Sequence, residues 1–291
     1  MVVVQLQGGL GNQLFQYAAG RALALRTRSS LLLDISQVGK GRYRPYRLDV
    51  FNLDAQPARK RDVPFEFRLP HRSPLARKVF ARLPQRLPTH AALGPKIVRE
   101  KGFAFDESVA GSTGDVYLVG FWQSPRYFED ATDAIRADLA LTPQSAGVEP
   151  MLAAKLQREG TVSVHVRRGD YVDNPLFSPC SADYYRQALE LLADGITLSA
   201  AYVFSDDIEW ARREVRFTVP TVFMSEVHTD SDIADFYLMS QCHHHVIANS
   251  SFSWWAAWLG DGSGCVVSPR RWFDDTAMDT RDLRPAHWLV L

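Results

Sequence analysis

Five short apolar runs in the second half of this chain, at about Thr161–Val166, Ala201–Ser205, Thr221–Met224, His245–Ala248 and Cys265–Ser268, alternate with helical patterns. Those patterns cover roughly Ala182–Leu192, Ile208–Arg213, Ile233–Gln241 and Phe252–Leu259. A strand without a polar face must be covered on both sides, so the alternation predicts βαβ units around a parallel sheet. The first half begins in the same way. A strand to Gln7, a glycine turn, a helix from about Asn12 to Arg26 and a strand over Ser30–Asp34 are expected, then a strand at Val116–Phe121 and a helix through Leu139. Thr142–Gly147 reads as a linker. The fold class predicted is α/β, with two doubly wound Rossmann-type domains, 1–146 and 147–291, facing each other across a cleft.

Ligands of open parallel sheets bind beyond the carboxyl ends of the strands. Three predicted strands end in polar loops: Arg167-Arg168-Gly169-Asp170, Asp206-Asp207 and Asn249-Ser250-Ser251. All three are expected along one edge of one sheet. In the first, Val164 and Val166 face the core, and His165 and Arg167 lie on the opposite face. An arginine there can make a forked contact to a diphosphate. Arg168 and Asp170 are expected to pair within the loop. Asn249-Ser250-Ser251 lies between a buried strand and a helix N-terminus, where backbone N–H groups and the helix dipole favour an anion.

Other motifs carry bland and functional readings side by side. Gly8-Gly9-Leu10-Gly11-Asn12-Gln13 follows a strand and opens a helix, and Asp34 ends the next strand, as in a dinucleotide fingerprint. Leu14 occupies the position where that fingerprint wants glycine or alanine for close packing. Asp206 and Asp207 read as helix caps, and Asp235 reads as a helix acid that could accept from a guanine edge. His243-His244-His245 alternate faces on a strand and lack a partner of ligand spacing, so no metal site is expected. Trp254, Trp255 and Trp258 read as core.

The 33 basic and 33 acidic residues cancel, which removes any global nucleic-acid signature. Three unpatterned cysteines and an apolar start too short for a signal peptide predict a cytoplasmic chain. The neutrality is uneven. Ten basic residues face two acidic ones between Arg59 and Lys96, within a proline-rich insertion over 57–96. An amphipathic helix over Pro74–Leu83, carrying Arg77, Lys78 and Arg82, is expected there. Its first reading is a solvated insertion and its second a peripheral contact with an anionic inner membrane face.

Taken together, Gly8–Tyr17, His165–Tyr171, Phe204–Asp207 and Ile247–Leu259 resemble the bacterial α-1,2-fucosyltransferases, glycosyltransferase family 11. The resemblance implies a GT-B fold that uses GDP-β-L-fucose without a metal or other cofactor. It implies that His165 and Asp235 recognise guanine, that Arg167 binds the β-phosphate and stabilises the leaving group, and that Asn249, Ser250, Ser251 and Phe252 close on the diphosphate. Gly9, Gly11 and Asn12 would approach the donor from the other domain. The activity implied is inverting transfer of L-fucose to a galactose-type residue of a surface glycan precursor, with an oligosaccharide acceptor carried on a lipid. Asp34, Asp49 and Asp170 are candidate general bases. Alternatives are another GDP-sugar transferase, an NAD-dependent oxidoreductase built on the N-terminal glycine turn, and a non-catalytic nucleotide-sugar binder.

Overall fold

The computed structural model describes residues 1–39, 44–68, 94–226, 231–275 and 277–291. The chain divides into two compact units, one of Met1–Leu48 with Leu53–Asp138, the other of Asp49–Asn52 with Leu139–Leu291. The helix expected over Pro74–Leu83 lies outside the described residues.

In the first unit, β1 (Val2–Gln5) is followed by α1 (Leu10–Thr27) and β2 (Leu31–Asp34). The sheet is completed by β3 (Gln56–Pro57), β4 (Lys96–Arg99) and β5 (Val116–Val119), and α2 (Thr132–Asp138) follows. Strand order is β3-β2-β1-β5-β4, with every pairing parallel. The order reverses between β1 and β5, so the loops after these two strands flank a switch point. Helix α1 meets the sheet at Gly20, where a Cβ would lie 2.3 Å from Val4 Cγ2 and 2.9 Å from Leu31 Cδ1. The close approach that the dinucleotide fingerprint places at position 14 is therefore made further along the helix, and Leu14 is a fully buried core residue.

The second unit starts before the expected boundary because Thr142–Gly147 is not a slack linker. Thr142 and Ser145 form a reciprocal capping box on α3 (Pro143–Ala146), and Gly147 ends that turn in the left-handed region at φ 68°. Helix α4 (Pro150–Leu156) leads into β6 (Thr161–Val166), α5 (Ala182–Ala193), β7 (Ala200–Ser205) and α6 (Ile208–Glu214). Then come β8 (Thr221–Phe223), α7 (Asp232–Gln241), β9 (His244–Val246) and α8 (Ser251–Leu259). Strands β10 (Val266–Ser268) and β11 (Leu289–Val290) finish the chain.

The sheet runs β11-β10-β9-β6-β7-β8, all parallel. Two strands, β7 and β8, build outward from β6 on one side and three, β9, β10 and β11, on the other, which is the dinucleotide-fold order with its switch point between β6 and β9. Val162, Val164 and Val166 pack with Tyr185, Leu189 and Leu192 in one core cluster. Trp254 and Trp255 are fully buried, as expected of core residues. The three histidines are structural ties: Nδ1 of His243 accepts from the Gly160 amide at 3.4 Å, Nδ1 of His244 from the Cys265 amide at 3.0 Å, and His245 Nδ1 pairs with Ser163 Oγ at 2.8 Å.

Candidate active site

Adjacent strands β9, β6 and β7 bring the three polar loops to one edge of the second sheet, as the sequence predicts. His165, the penultimate residue of β6, is buried with its ring 5.7 Å from that of Phe252, which lies 5.4 Å from Phe236. Burial, reinforced by the neighbouring Arg167 charge, pushes its imidazole down to about 3. The ring is therefore neutral. Its Nδ1 is buried without a hydrogen-bond partner, the position of a group awaiting a ligand or a water.

Arg167 follows at the strand end and is held by two carboxylates. Asp206, just past β7, lies 2.8 Å from Nη1 through Oδ2, and Asp170 contacts Nη2. Asp206 Oδ1 also accepts the Arg168 amide at 2.8 Å. The expected Arg168–Asp170 pair is replaced by a different pairing. Arg168 reaches Asp207 at 3.2 Å and its guanidinium lies over Trp210, 4.1 Å from the centroid. The cause is register: residues 166 and 205 are partners across β6 and β7, so the following loops meet side by side. Asp207 caps α6, as expected, accepting from the Trp210 amide at 3.2 Å. Asp206 is the functional neighbour that a capping interpretation misses.

Tyr171 covers one face of Arg167, whose guanidinium carbon is 5.3 Å from the ring centroid. The same ring stacks on Phe177 at 4.4 Å. Its hydroxyl is within hydrogen-bonding reach of the Ser250 side chain, and burial pushes its pKa up to about 12. Ser250 is the N-cap of α8 and accepts from the Phe252 amide at 3.4 Å. Tyr171 thus links the Arg167 loop to the helix N-terminus. Asp235 sits half-buried in the first turn of α7, beside Phe236. Ser251 and Phe252 are half-buried at the start of α8.

Asn249 has a different task. Its Nδ2 donates to the carbonyls of Ser178 and Trp272, each at 3.1 Å, and Cys180 Sγ lies 3.6 Å from Oδ1. Both amide hydrogens tie loops together, so Asn249 shapes the turn that presents Ser250. The first unit treats its glutamines likewise. Gln13 donates to the carbonyls of Gly8 and Pro45 and accepts from the Arg47 amide, while Gln16 accepts from the Gln7 amide and donates to the Gly120 carbonyl. Gly9, the N-cap of α1, is open to solvent on its Cβ side, and Gly11 is buried in the first turn. Asn12 Oδ1 accepts from Gln123 Nε2 at 2.9 Å. Asp34 is unsuited to act as a base, being buried with its oxygens taken by the Tyr117 hydroxyl and the Ser36 amide.

The sequence profile of glycosyl transferase family 11 matches residues 98–291. An α-1,2-colitosyltransferase of Escherichia coli is 32% identical over 306 residues, covering 99% of this chain and 98% of that one. The chain belongs to glycosyltransferase family 11. This glycosyltransferase is also similar to the O-antigen biosynthesis glycosyltransferase WbnK of Escherichia coli, with 29% identity across 92% of this chain and 93% of that one. Among solved structures it is similar to the fucosyltransferase NodZ from Bradyrhizobium, with a TM-score of 0.49, 16% identity, and coverage of 89% and 92% of the two chains. Family membership disposes of the oxidoreductase alternative for the N-terminal glycine turn. Among the described residues no helix is long and apolar enough to cross a membrane.

Proposed function

We propose that this family 11 enzyme transfers L-fucose from GDP-β-L-fucose to the 2-hydroxyl of a galactose-type residue in a surface glycan precursor, with inversion. One observation carries the reading. The switch point of the second sheet presents, side by side, a neutral buried His165 with an unpartnered Nδ1, an oriented Arg167, and the N-terminus of α8 at Ser250–Phe252. A nucleoside diphosphate needs a hydrogen-bonding partner for its base and oriented N–H donors for its phosphates, and this edge offers both.

As the bond from sugar C1 to the diphosphate oxygen breaks, the acceptor oxygen attacks C1 from the opposite face and loses its proton. Negative charge grows on the departing GDP. Arg167 and the first-turn amides of α8 stabilise it where it develops. His165 and Asp235 hold the guanine, and Gly9, Gly11 and Asn12 meet the donor in this reading. The reaction draws its charge stabilisation from the protein, so full turnover is expected in a chelator.

A second donor is favoured by one finding, the 32% identity to an α-1,2-colitosyltransferase. Colitose is L-fucose without its 3-hydroxyl, so the two donors differ at one polar atom. Incubation with GDP-fucose, GDP-colitose and GDP-mannose, each against a panel of galactosides, with the product linkage assigned by NMR, decides between them. Transfer of fucose to O2 with inverted anomeric configuration is expected; GDP release without glycosyl transfer overturns the reading. In this proposal the acceptor is lipid-linked and the basic 59–96 segment touches the membrane. Neutralising Arg77, Lys78 and Arg82 is then expected to slow transfer to a lipid-linked acceptor and spare a soluble one.

A further inference from the structure

The switch point of the first sheet contains a second set of groups arranged as for a ligand. Strand β5 ends in Gly120-Phe121-Trp122-Gln123, beside the glycine loop that follows β1. Trp122 is fully buried and adopts φ +57°, a left-handed conformation that a bulky residue takes up only under constraint. The constraint is Glu100, at the end of neighbouring β4. Its two carboxylate oxygens accept the amides of Phe121 at 2.7 Å and Trp122 at 2.8 Å. Glycine is required at 120, because a Cβ there would lie 2.4 Å from Glu100 Cβ.

This bend presents Gln123. Its Nε2 is committed to Asn12 Oδ1 at 2.9 Å, which fixes the amide's orientation. Its Oε1 then points away from that bond, buried and without a partner. A buried carbonyl oxygen left unpaired has given up its hydrogen bonds to water without replacement, so strain and an unmet acceptor coincide at one place. Two residues back along the same bend, the half-buried ring of Phe121 lies parallel to that of Phe103, also half-buried, at 6.5 Å. An acceptor oxygen that takes a hydroxyl hydrogen, in the same bend as an aromatic surface that takes C–H groups, is the chemistry of pyranose recognition.

We infer that Gln123, with Phe121, forms a pyranose-binding subsite in the first unit, Oε1 accepting a hydrogen bond from a sugar hydroxyl; the inference rests on the glycosyl-transfer reading. The sugar is either the acceptor residue or the glycosyl group of the donor, and a KM split tells them apart. Gln123→Leu removes Oε1 and the bond to Asn12, whereas Gln123→Glu keeps an acceptor oxygen and lets the Asn12 amide turn to donate.

Gln123→Leu is expected to raise the KM of one sugar substrate about tenfold or more, to leave the Kd for GDP unchanged, and to keep Tm within a few degrees. Gln123→Glu is expected to recover most of that loss, and Phe121→Ala to raise the same KM. Unchanged KM values for both substrates in a folded Gln123→Leu overturn the subsite, as does equal damage by Leu and Glu, because Glu keeps an acceptor oxygen at this place. Failure of the wild-type enzyme to bind GDP or transfer sugar sinks the glycosyl-transfer reading instead. In that case saturation-transfer NMR with a galactose-terminated disaccharide tests the subsite directly, and absence of a Gln123-dependent signal overturns it.

Discussion

Asp206 anchors Arg167 from a neighbouring strand: Oδ2 lies 2.8 Å from Nη1, while Oδ1 accepts the amide of Arg168 at 2.8 Å. One carboxylate therefore sets both the guanidinium and the backbone that carries it. Preorganisation of this kind lets a charged donor act without reorganising as charge develops. Arg167→Ala is expected to lower kcat by about 10²–10³ with the fold intact. Asp206→Asn, which keeps hydrogen bonding to Arg168 but not the charge pairing, is expected to lower kcat by about tenfold. Stopped assays on folded variants check both, and near-normal turnover by Arg167→Ala removes its role.

Gly169 is the sequence signature of that arrangement. A Cβ at this position would lie 2.5 Å from Asp206 Oδ2, although the backbone there is not left-handed. The glycine serves close approach rather than conformational freedom. Gly169→Ala is expected to push Asp206 off Arg167 and reduce turnover by about an order of magnitude, less than the about 10²–10³ that follows outright loss of an oriented donor. Gly195→Ala, where a Cβ meets nothing within 4 Å, is the control and is expected to leave turnover unchanged. Equal activity of the two variants would falsify the clamp.

Tyr171 separates ring from hydroxyl. The ring covers Arg167 and stacks on Phe177, and the hydroxyl reaches toward the Ser250 cap. A cation–π contact of this class contributes about 0.5–2 kcal/mol. Tyr171→Phe is expected to keep GDP affinity within about threefold, and Tyr171→Leu to weaken it by about tenfold, measured by calorimetry. Equal loss in both variants would place the effect in the hydroxyl.

The second unit was legible because its strands are buried on both faces and its helices begin with caps, so local pattern and tertiary role agree. Strand β3 escaped notice because it has two residues, both exposed, and β4 because charged ends flank a short Ile-Val pair. Arg167 was legible from its place at a strand end. Its true partner was not, since Asp206 is 39 positions downstream by sequence and meets Arg167 only through the β6–β7 register. Asn249 looks like a ligand-binding side chain in sequence, yet its hydrogen bonds close loops. Only the structure distinguishes a polar group that binds from one that positions. The unpartnered atoms of His165 and Gln123 make that distinction in the opposite sense.

Buried imidazoles give the enzyme an acid limit. His165 and His245 are both pushed down to about 3, chiefly by burial, with the nearby Arg167 charge adding to the first and His244 to the second. Their unfolded values are near 6.5. The unfolded chain therefore takes up protons below about pH 6.5 that the folded chain refuses, and stability falls as the pH drops toward 3. Each histidine contributes a slope of up to about 1.4 kcal/mol per pH unit in that window and none above it. Urea unfolding at pH 7.5, 6.5, 5.5 and 4.5 is expected to give a plateau and then a decline. His245→Gln, which retains a hydrogen bond to Ser163, is expected to lose part of the histidine-dependent slope, with His165 and the likewise lowered His244 keeping theirs. A stability that stays level to pH 4.5 contradicts neutral burial of these rings, and an unchanged slope in His245→Gln removes that residue from the account.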